Sequence, residues 1–168
     1  NDELPSALNT DDQWIRERSG IRERRYAEEG VRTTDLAKEA VMDLLARNEV
    51  QAEEIDCIVF ATLSPDFFFP GAGVFLQEKL GWNRREIPCY DIRQQCSGFV
   101  YGIQMAQAFI ESGMYENILL VGAEIHSRGL EFAERGRAVT VLFGDGAGAC
   151  VVSRSPNDES KILATQCN

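Results

Sequence analysis

One histidine, His126, stands in 168 residues, and the five cysteines are odd in number and never spaced C-x-x-C. A histidine-cysteine metal cluster is therefore hard to assemble. A disulfide framework does not fit either, because the cysteines lie mostly inside apolar runs such as CIVFA and ACVVS. Any run of roughly 18 apolar residues is missing too, so no segment reads as a membrane span. No basic stretch followed by an apolar one opens the chain as a secretory signal would. Basic excess is lacking as well: 17 Lys and Arg against 27 Asp and Glu give a formal charge of −10, a field that binding to a phosphate backbone would have to overcome. Nucleic acid and membrane are set aside as partners, and a cytoplasmic protein is expected.

What is present suffices for one globular domain: 44% of residues are hydrophobic and 26% charged, with no repeat or linker to divide them. Residues 11–18 suit a short helix, with Asn9 or Thr10 as N-cap, Asp11 and Asp12 in the first turn and Gly20 as its end. Residues 34–47 place Leu36, Ala37, Ala40, Val41, Leu44 and Leu45 at helical spacing. The run 57–61 is short, apolar and bounded by polar stretches, as a strand buried on both faces of a parallel sheet would be. After the aromatic loop 67–69, Pro70 is expected in the first turn of a helix reaching Leu80 and stopped by Gly81. Residues 89–92 read as the next strand. The helix expected over 97–112, ended by Gly113, is apolar almost all round, which predicts a central, buried position. Strands are expected at 118–121, 138–143, 149–153 and 162–165. The order of elements predicts an α/β fold, a helix-covered mixed sheet whose last strands pair antiparallel.

Several residues invite a chemical reading. Cys96 follows a strand end and a short polar turn and precedes the apolar helix, so its sulfur falls at a helix N-terminus. Unpaired N–H groups there favour a thiolate nucleophile. The alternative is a small core cysteine, the reading given to Cys57, Cys89, Cys150 and Cys167. The GDGAGA run at 144–149 resembles a phosphate loop but leads into a strand-like segment, so a tight turn with close backbone packing is expected, and Asp145 bonded to neighbouring N–H groups. His126 is either a general base or a structural side chain. Trp14 and Arg18, one helical turn apart, either sandwich a planar ring or anchor a short helix. The arginines cluster at 16, 18, 22, 24 and 25 and again at 128, 135 and 137. They either hold an anion or pair with Glu17, Glu23, Glu28 and Glu29.

Four stretches then resemble, in order and spacing, the first half of the ketoacyl-acyl-carrier-protein synthase III family: DDQWIRERSGIRERRY (11–26), FFFPGAG (67–73), DIRQQCSGFVYG (91–102) and VLFGDGAGACVV (141–152). The resemblance implies a thiolase-like fold and a decarboxylative Claisen condensation, in which an acyl group passes from coenzyme A to a cysteine and is joined to a malonyl unit on acyl carrier protein. By the same resemblance Cys96 is the nucleophile. Trp14, Arg18 and Arg137 hold the adenine end of coenzyme A, Thr10 makes a further coenzyme A contact, and Phe69 closes the acyl pocket across a homodimer interface. No cofactor and no metal is implied, since acyl-coenzyme A is a substrate.

Three departures accompany the resemblance. The family's catalytic His and Asn belong to its second half, and His126 does not align with that histidine. The family's opening strand has no counterpart before Asn1, so residues 1–168 are expected to be an N-terminal half-domain of a longer protein. Gln94 and Gln95 stand where small residues are usual, which leaves the starter acyl group open. Two other readings remain: a related acyltransferase or hydroxymethylglutaryl-coenzyme-A-synthase-like enzyme, and a non-catalytic half-domain serving fold and dimer interface.

Overall fold

The computed structural model describes residues 1–47, 50–155, 162 and 164–166. The chain forms two compact units: Asn1–Val31 with Ile125–Gly146, and Arg32–Glu124 with the chain from Ala147 onward.

The larger unit is built on a four-stranded sheet in the order β2-β1-β3-β4, with β1 Cys57–Ala61, β2 Cys89–Ile92, β3 Asn117–Ile125 and β4 Asp145–Ser153. Strand β1 pairs in parallel with both β2 and β3. Asn117 at the start of β3 and Ser153 at the end of β4 line the same surface cavity, so these two neighbours run antiparallel and the sheet is mixed. Side chains alternate across β1 and β3. Ile58, Phe60, Leu119 and Val121 join a core beneath helices α2 (Thr33–Ala46) and α3 (Ala72–Lys79), while Cys57, Val59, Ile118 and Leu120 join a second core beneath α4 (Gly98–Glu111). All five residues of β1 are buried, as a strand covered on both faces requires.

Helix α4 lies close to the sheet because its inner stripe is made of small residues. Gly98, Gly102, Ala106 and Ile110 are buried at successive i, i+4 positions. A Cβ on Gly102 would stand 2.5 Å from Leu120 Cδ1, and one on Gly98 3.4 Å from the Ala61 Cβ. The other faces of α4 are more open, with Val100 50% exposed. The helix expected to be central and buried is buried along this one stripe.

In the smaller unit, helix α1 spans Asp12–Ser19, and Gly20 ends it in the left-handed conformation (φ +74°). The N-cap is Asp11, whose Oδ1 accepts from the Trp14 N–H at 2.7 Å, rather than Asn9 or Thr10. Asn9 is occupied in closing the preceding 3-10 turn with φ +50°, and the Thr10 hydroxyl points inward, buried. The strand expected over 138–143 is instead a short helix α5, Arg137–Thr140, followed by a turn. Tertiary bonds override its β-branched composition: Thr140 donates to the Glu131 carbonyl at 2.7 Å, and Arg24 donates to the Val141 carbonyl at 2.8 Å.

Strand β4 begins four residues earlier than the expected 149, inside the glycine run. Gly146 and Gly148 therefore lie in a strand, and a Cβ on either would meet nothing within 4 Å. Close packing is confined to Gly144, where a Cβ would stand 3.0 Å from the Arg25 carbonyl oxygen. Residue 163 of the strand expected over 162–165 lies outside the described residues, and Ile162, Ala164 and Thr165 are irregular.

Candidate functional site

Cys96 occupies a single 3-10 turn, Gln95–Ser97, between the end of β2 and the start of α4, and it is exposed. It sits two residues ahead of the first residue of α4, just before the N-cap Ser97, at the helix N-terminus expected for it. Gln95, just before it, has φ +40°, a left-handed conformation that costs a residue with a Cβ on the order of 1–3 kcal/mol. The other described thiols differ in kind. Burial pushes the Cys57 thiol up to about 12 and the Cys89 thiol up to about 11, and it raises Cys150 as well. These three stay protonated inside the core, in keeping with the structural reading given to them. Cys167 lies outside the described residues.

The loop between β1 and α3 carries the aromatic triplet outward: Phe67, Phe68 and Phe69 are 44%, 72% and 87% exposed. A cavity of about 430 Å³ is lined by this segment together with Asp91 and Arg93. The Arg93 guanidinium stands 4.7 Å from the Phe68 ring centroid, and Arg32 stands 5.0 Å from that of Phe67.

Three carboxylates fasten the loop, and none was singled out in the sequence. Asp91 in β2 accepts from the backbone N–H groups of Ala72 and Gly73, the latter at 2.9 Å, and so caps α3 from a neighbouring strand. Gly71 (φ +140°) lies so close that a Cβ there would be 2.7 Å from Asp91 Oδ2. The helix start expected at Pro70 is accordingly moved to Ala72 with Gly71 as N-cap. Asp66 accepts from the Thr34 hydroxyl and, at 3.3 Å, from the Thr34 N–H. Glu124, near the end of β3, accepts from the N–H groups of Leu63 and Ser64 at 2.7 and 3.1 Å, from the Ser64 hydroxyl at 2.5 Å and from the Thr62 hydroxyl at 3.3 Å. A single acidic residue inside a largely apolar strand, as in NILLVGAEI, is the signal that marks Glu124.

In the smaller unit Trp14 meets two guanidiniums, Arg18 at 4.3 Å and Arg137 at 4.7 Å from its ring centroid. Arg137 also donates to the Asn9 carbonyl at 2.6 Å. Thr10 Oγ1 is buried without a hydrogen-bond partner among the described residues. Trp14, Arg18 and Arg137 are therefore brought together, and Thr10 follows Asn9 at the same place. Most other arginines are used structurally: Arg16 pairs with Asp12 and Arg25 with Glu23, both at 3.1 Å, and Arg135 pairs with Glu131. Of the four expected glutamate partners, Glu23 serves as one.

Asp145 gathers the N–H groups of Ala27 (2.7 Å), His126 (2.8 Å) and Ser127 (2.9 Å) and the Ser127 hydroxyl (2.6 Å). Partial burial works to raise its carboxyl, but the Ser127 hydroxyl and these N–H groups outweigh it and hold the carboxyl below the ordinary aspartate value. The His126 ring lies edge-on to Phe143, with centroids 5.1 Å apart. Among the described residues no group of three or more His, Cys, Asp and Glu is placed to hold a metal ion, and no helix is long and apolar enough to cross a membrane.

The mixed sheet with helices on both faces, entered through the turn that carries Cys96, is a thiolase-like fold shared with solved synthase III structures. The synthase III of Aquifex aeolicus VF5 superposes with a TM-score of 0.82 at 39% identity, over 90% of this chain and 48% of that one. The beta-ketoacyl-acyl-carrier-protein synthase III of Thermus thermophilus gives 0.81 at 40% identity, over 90% and 46%. The profile of the 3-oxoacyl-acyl-carrier-protein synthase III family matches residues 90–168, and the chain is similar to the N-terminal half of proteins of that name. It is 44% identical over 167 residues to the beta-ketoacyl-acyl-carrier-protein synthase III of Helicobacter pylori (strain ATCC 700392 / 26695), covering 99% of this chain and 49% of that protein. With the enzyme of the same name from Ehrlichia canis (strain Jake) it shares 43% identity over 165 residues, 98% of this chain and 50% of the other. The chain thus spans about half the length of the curated relatives it matches.

Proposed function

We propose that this chain carries the acyl-accepting part of a condensing enzyme, with Cys96 as the nucleophile. The observation that carries the reading is the position of Cys96, an exposed thiol on the turn that follows the C-terminal end of β2 in a run of three parallel strands. That edge of an open α/β sheet is where ligands characteristically bind. The strained backbone at Gln95 supports it, since such conformations cluster at functional sites. In the step proposed, the Cys96 thiolate attacks the thioester carbonyl of acyl-coenzyme A. The carbonyl carbon gains a bond to Sγ and loses its bond to the coenzyme A sulfur, which leaves as the free thiol after taking a proton.

Trp14, Arg18 and Arg137 would hold the adenine ring and the adjoining phosphates of coenzyme A, the indole by stacking and the guanidiniums by stacking and charge. Thr10 Oγ1 is left a buried hydroxyl to donate. Phe69, the most exposed of its triplet, would close the acyl pocket of a second copy in a homodimer. Joining the acyl group to a malonyl unit on acyl carrier protein is proposed for the whole protein, on its similarity to the synthase III relatives.

The test is mass spectrometry of the intact protein after incubation with a panel of acyl-coenzyme-A thioesters, followed by peptide mapping. A single acyl adduct on Cys96, lost in Cys96→Ala without loss of folding, is the expected result. Loading that persists in Cys96→Ala would overturn the assignment.

A further inference from the structure

We infer that Glu124 is a positioning residue for the acyl site, setting chain-length selectivity through the turn at residues 62–64; this rests on the function proposed above for Cys96. Four donors converge on its carboxylate, two backbone N–H groups and two hydroxyls, all from three consecutive residues. A carboxylate accepting several bonds fixes geometry more tightly than neutral contacts would, since charge-assisted bonds are the shorter and stronger kind.

The turn it grips is not remote. Thr62 donates its N–H to the Ile92 carbonyl at 3.1 Å, at the end of β2 and four residues before Cys96. Ala61, just before the turn, is the residue against which Gly98 packs. Glu124 therefore holds a chain segment that is bonded to the end of β2, from which the Cys96 turn departs, and that follows the residue packed against the start of α4. In the other direction the same segment leads into the aromatic triplet. The Ser64 carbonyl accepts from the Thr33 hydroxyl at 2.5 Å, and Asp66 is bonded to Thr34. Residues 62–66 are thus fixed from β3 and from α2, and Phe67–Phe69 project from that fixed base beside the cavity lined with Asp91 and Arg93.

Removing the charge while keeping the shape changes the donor pattern. In Glu124→Gln one carboxylate oxygen becomes an NH₂ group, which faces donors and cannot accept from them. The turn loses part of its anchorage, and the aromatic triplet, whose Phe69 is proposed to close the acyl pocket of the second copy, shifts relative to that copy's thiol. Because small misplacements at a reacting centre weigh heavily, a change of about tenfold is expected in the ratio of loading rates between short and long acyl thioesters. The rate at which a small alkylating reagent modifies Cys96 should stay as in the wild type, since that reagent needs no acyl pocket. Ser64→Ala, which removes one donor and keeps the backbone pair, should move the ratio in the same direction by less.

The experiment is carried out on the intact protein, with Cys96 acylation followed by mass spectrometry across a thioester chain-length series and alkylation by iodoacetamide as the pocket-independent reference. An altered ratio with unaltered alkylation supports the inference. An unchanged ratio in Glu124→Gln overturns it, as does a parallel fall in all loading and alkylation rates, which would mark a purely structural role. Wild-type protein that accepts no acyl group from any thioester would overturn the proposed function together with this inference, whereas a loading-competent wild type with an indifferent variant would overturn this inference alone.

Discussion

At the scale of single residues, the contrast among the thiols is the sharpest feature. Cys96 is exposed, whereas burial holds Cys57 up to about 12 and Cys89 up to about 11. Alkylation of the native protein at about pH 8 should therefore label Cys96 and leave those two thiols unlabelled, because the thiolate is the reacting species; comparable labelling of Cys57 in a peptide map would contradict the burial described for it. The paired guanidiniums at Trp14 make a separate prediction. Arg18→Ala or Arg137→Ala should weaken coenzyme A binding, followed by calorimetry, by about 1–3 kcal/mol for each charge-assisted hydrogen bond removed. Unchanged affinity in both variants would remove the adenine site from this surface. The placement of Cys96 on a turn between strand and helix was legible in the sequence, because strand, polar turn and helix all announce themselves locally. Glu124 and Asp91 were not, since what they grip lies 60 and 18 residues away along the chain.

Among the elements, α4 shows how close packing depends on missing side-chain atoms. Gly102→Ala would place a Cβ 2.5 Å from Leu120 Cδ1, and overpacking of this kind costs about 1–3 kcal/mol. Gly148→Ala, with nothing within 4 Å, should be close to neutral. Urea midpoints of the two variants separate these outcomes, and equal midpoints would contradict the close approach of α4. Local patterning anticipated β1 and β2 with their observed bounds and α2 within one residue at each end. It failed at 138–143, where a β-branched run forms a helix and a turn because Thr140 and the Val141 carbonyl answer to distant partners. It failed again at the start of α3, where the cap is a carboxylate from β2 that no local rule can supply.

For the molecule as a whole, acid is the informative perturbation. The Lys79 ammonium bonded to Asp35 holds that carboxyl below the ordinary 3.8. Asp145 also lies below it, as hydrogen bonds from Ser127, Ala27 and His126 overcome partial burial. A carboxyl depressed in the folded state contributes stability that is present above 3.8 and is lost as pH falls through the folded value. Unfolding free energy should therefore drop below about pH 4, and in Asp145→Asn that drop should be shallower, with about 1–2 kcal/mol already missing at neutral pH. Denaturant titrations at both pH values check this, and an unaltered acid slope in the variant would show that Asp145 does not contribute to it.

Asp145 also bears on how the protein is made. The Ala27 N–H that it accepts from is 118 positions earlier in the chain, and the smaller unit as a whole joins Asn1–Val31 to Ile125–Gly146. At typical elongation rates, about 5–20 s pass between emergence of the first segment and arrival of its complement. Throughout that interval Leu8 and Ile15, buried in the finished structure, have no partner surface from 125–146 to cover them. The larger unit's first strands and helices are synthesised meanwhile, so the smaller unit can close only after most of the larger one has emerged.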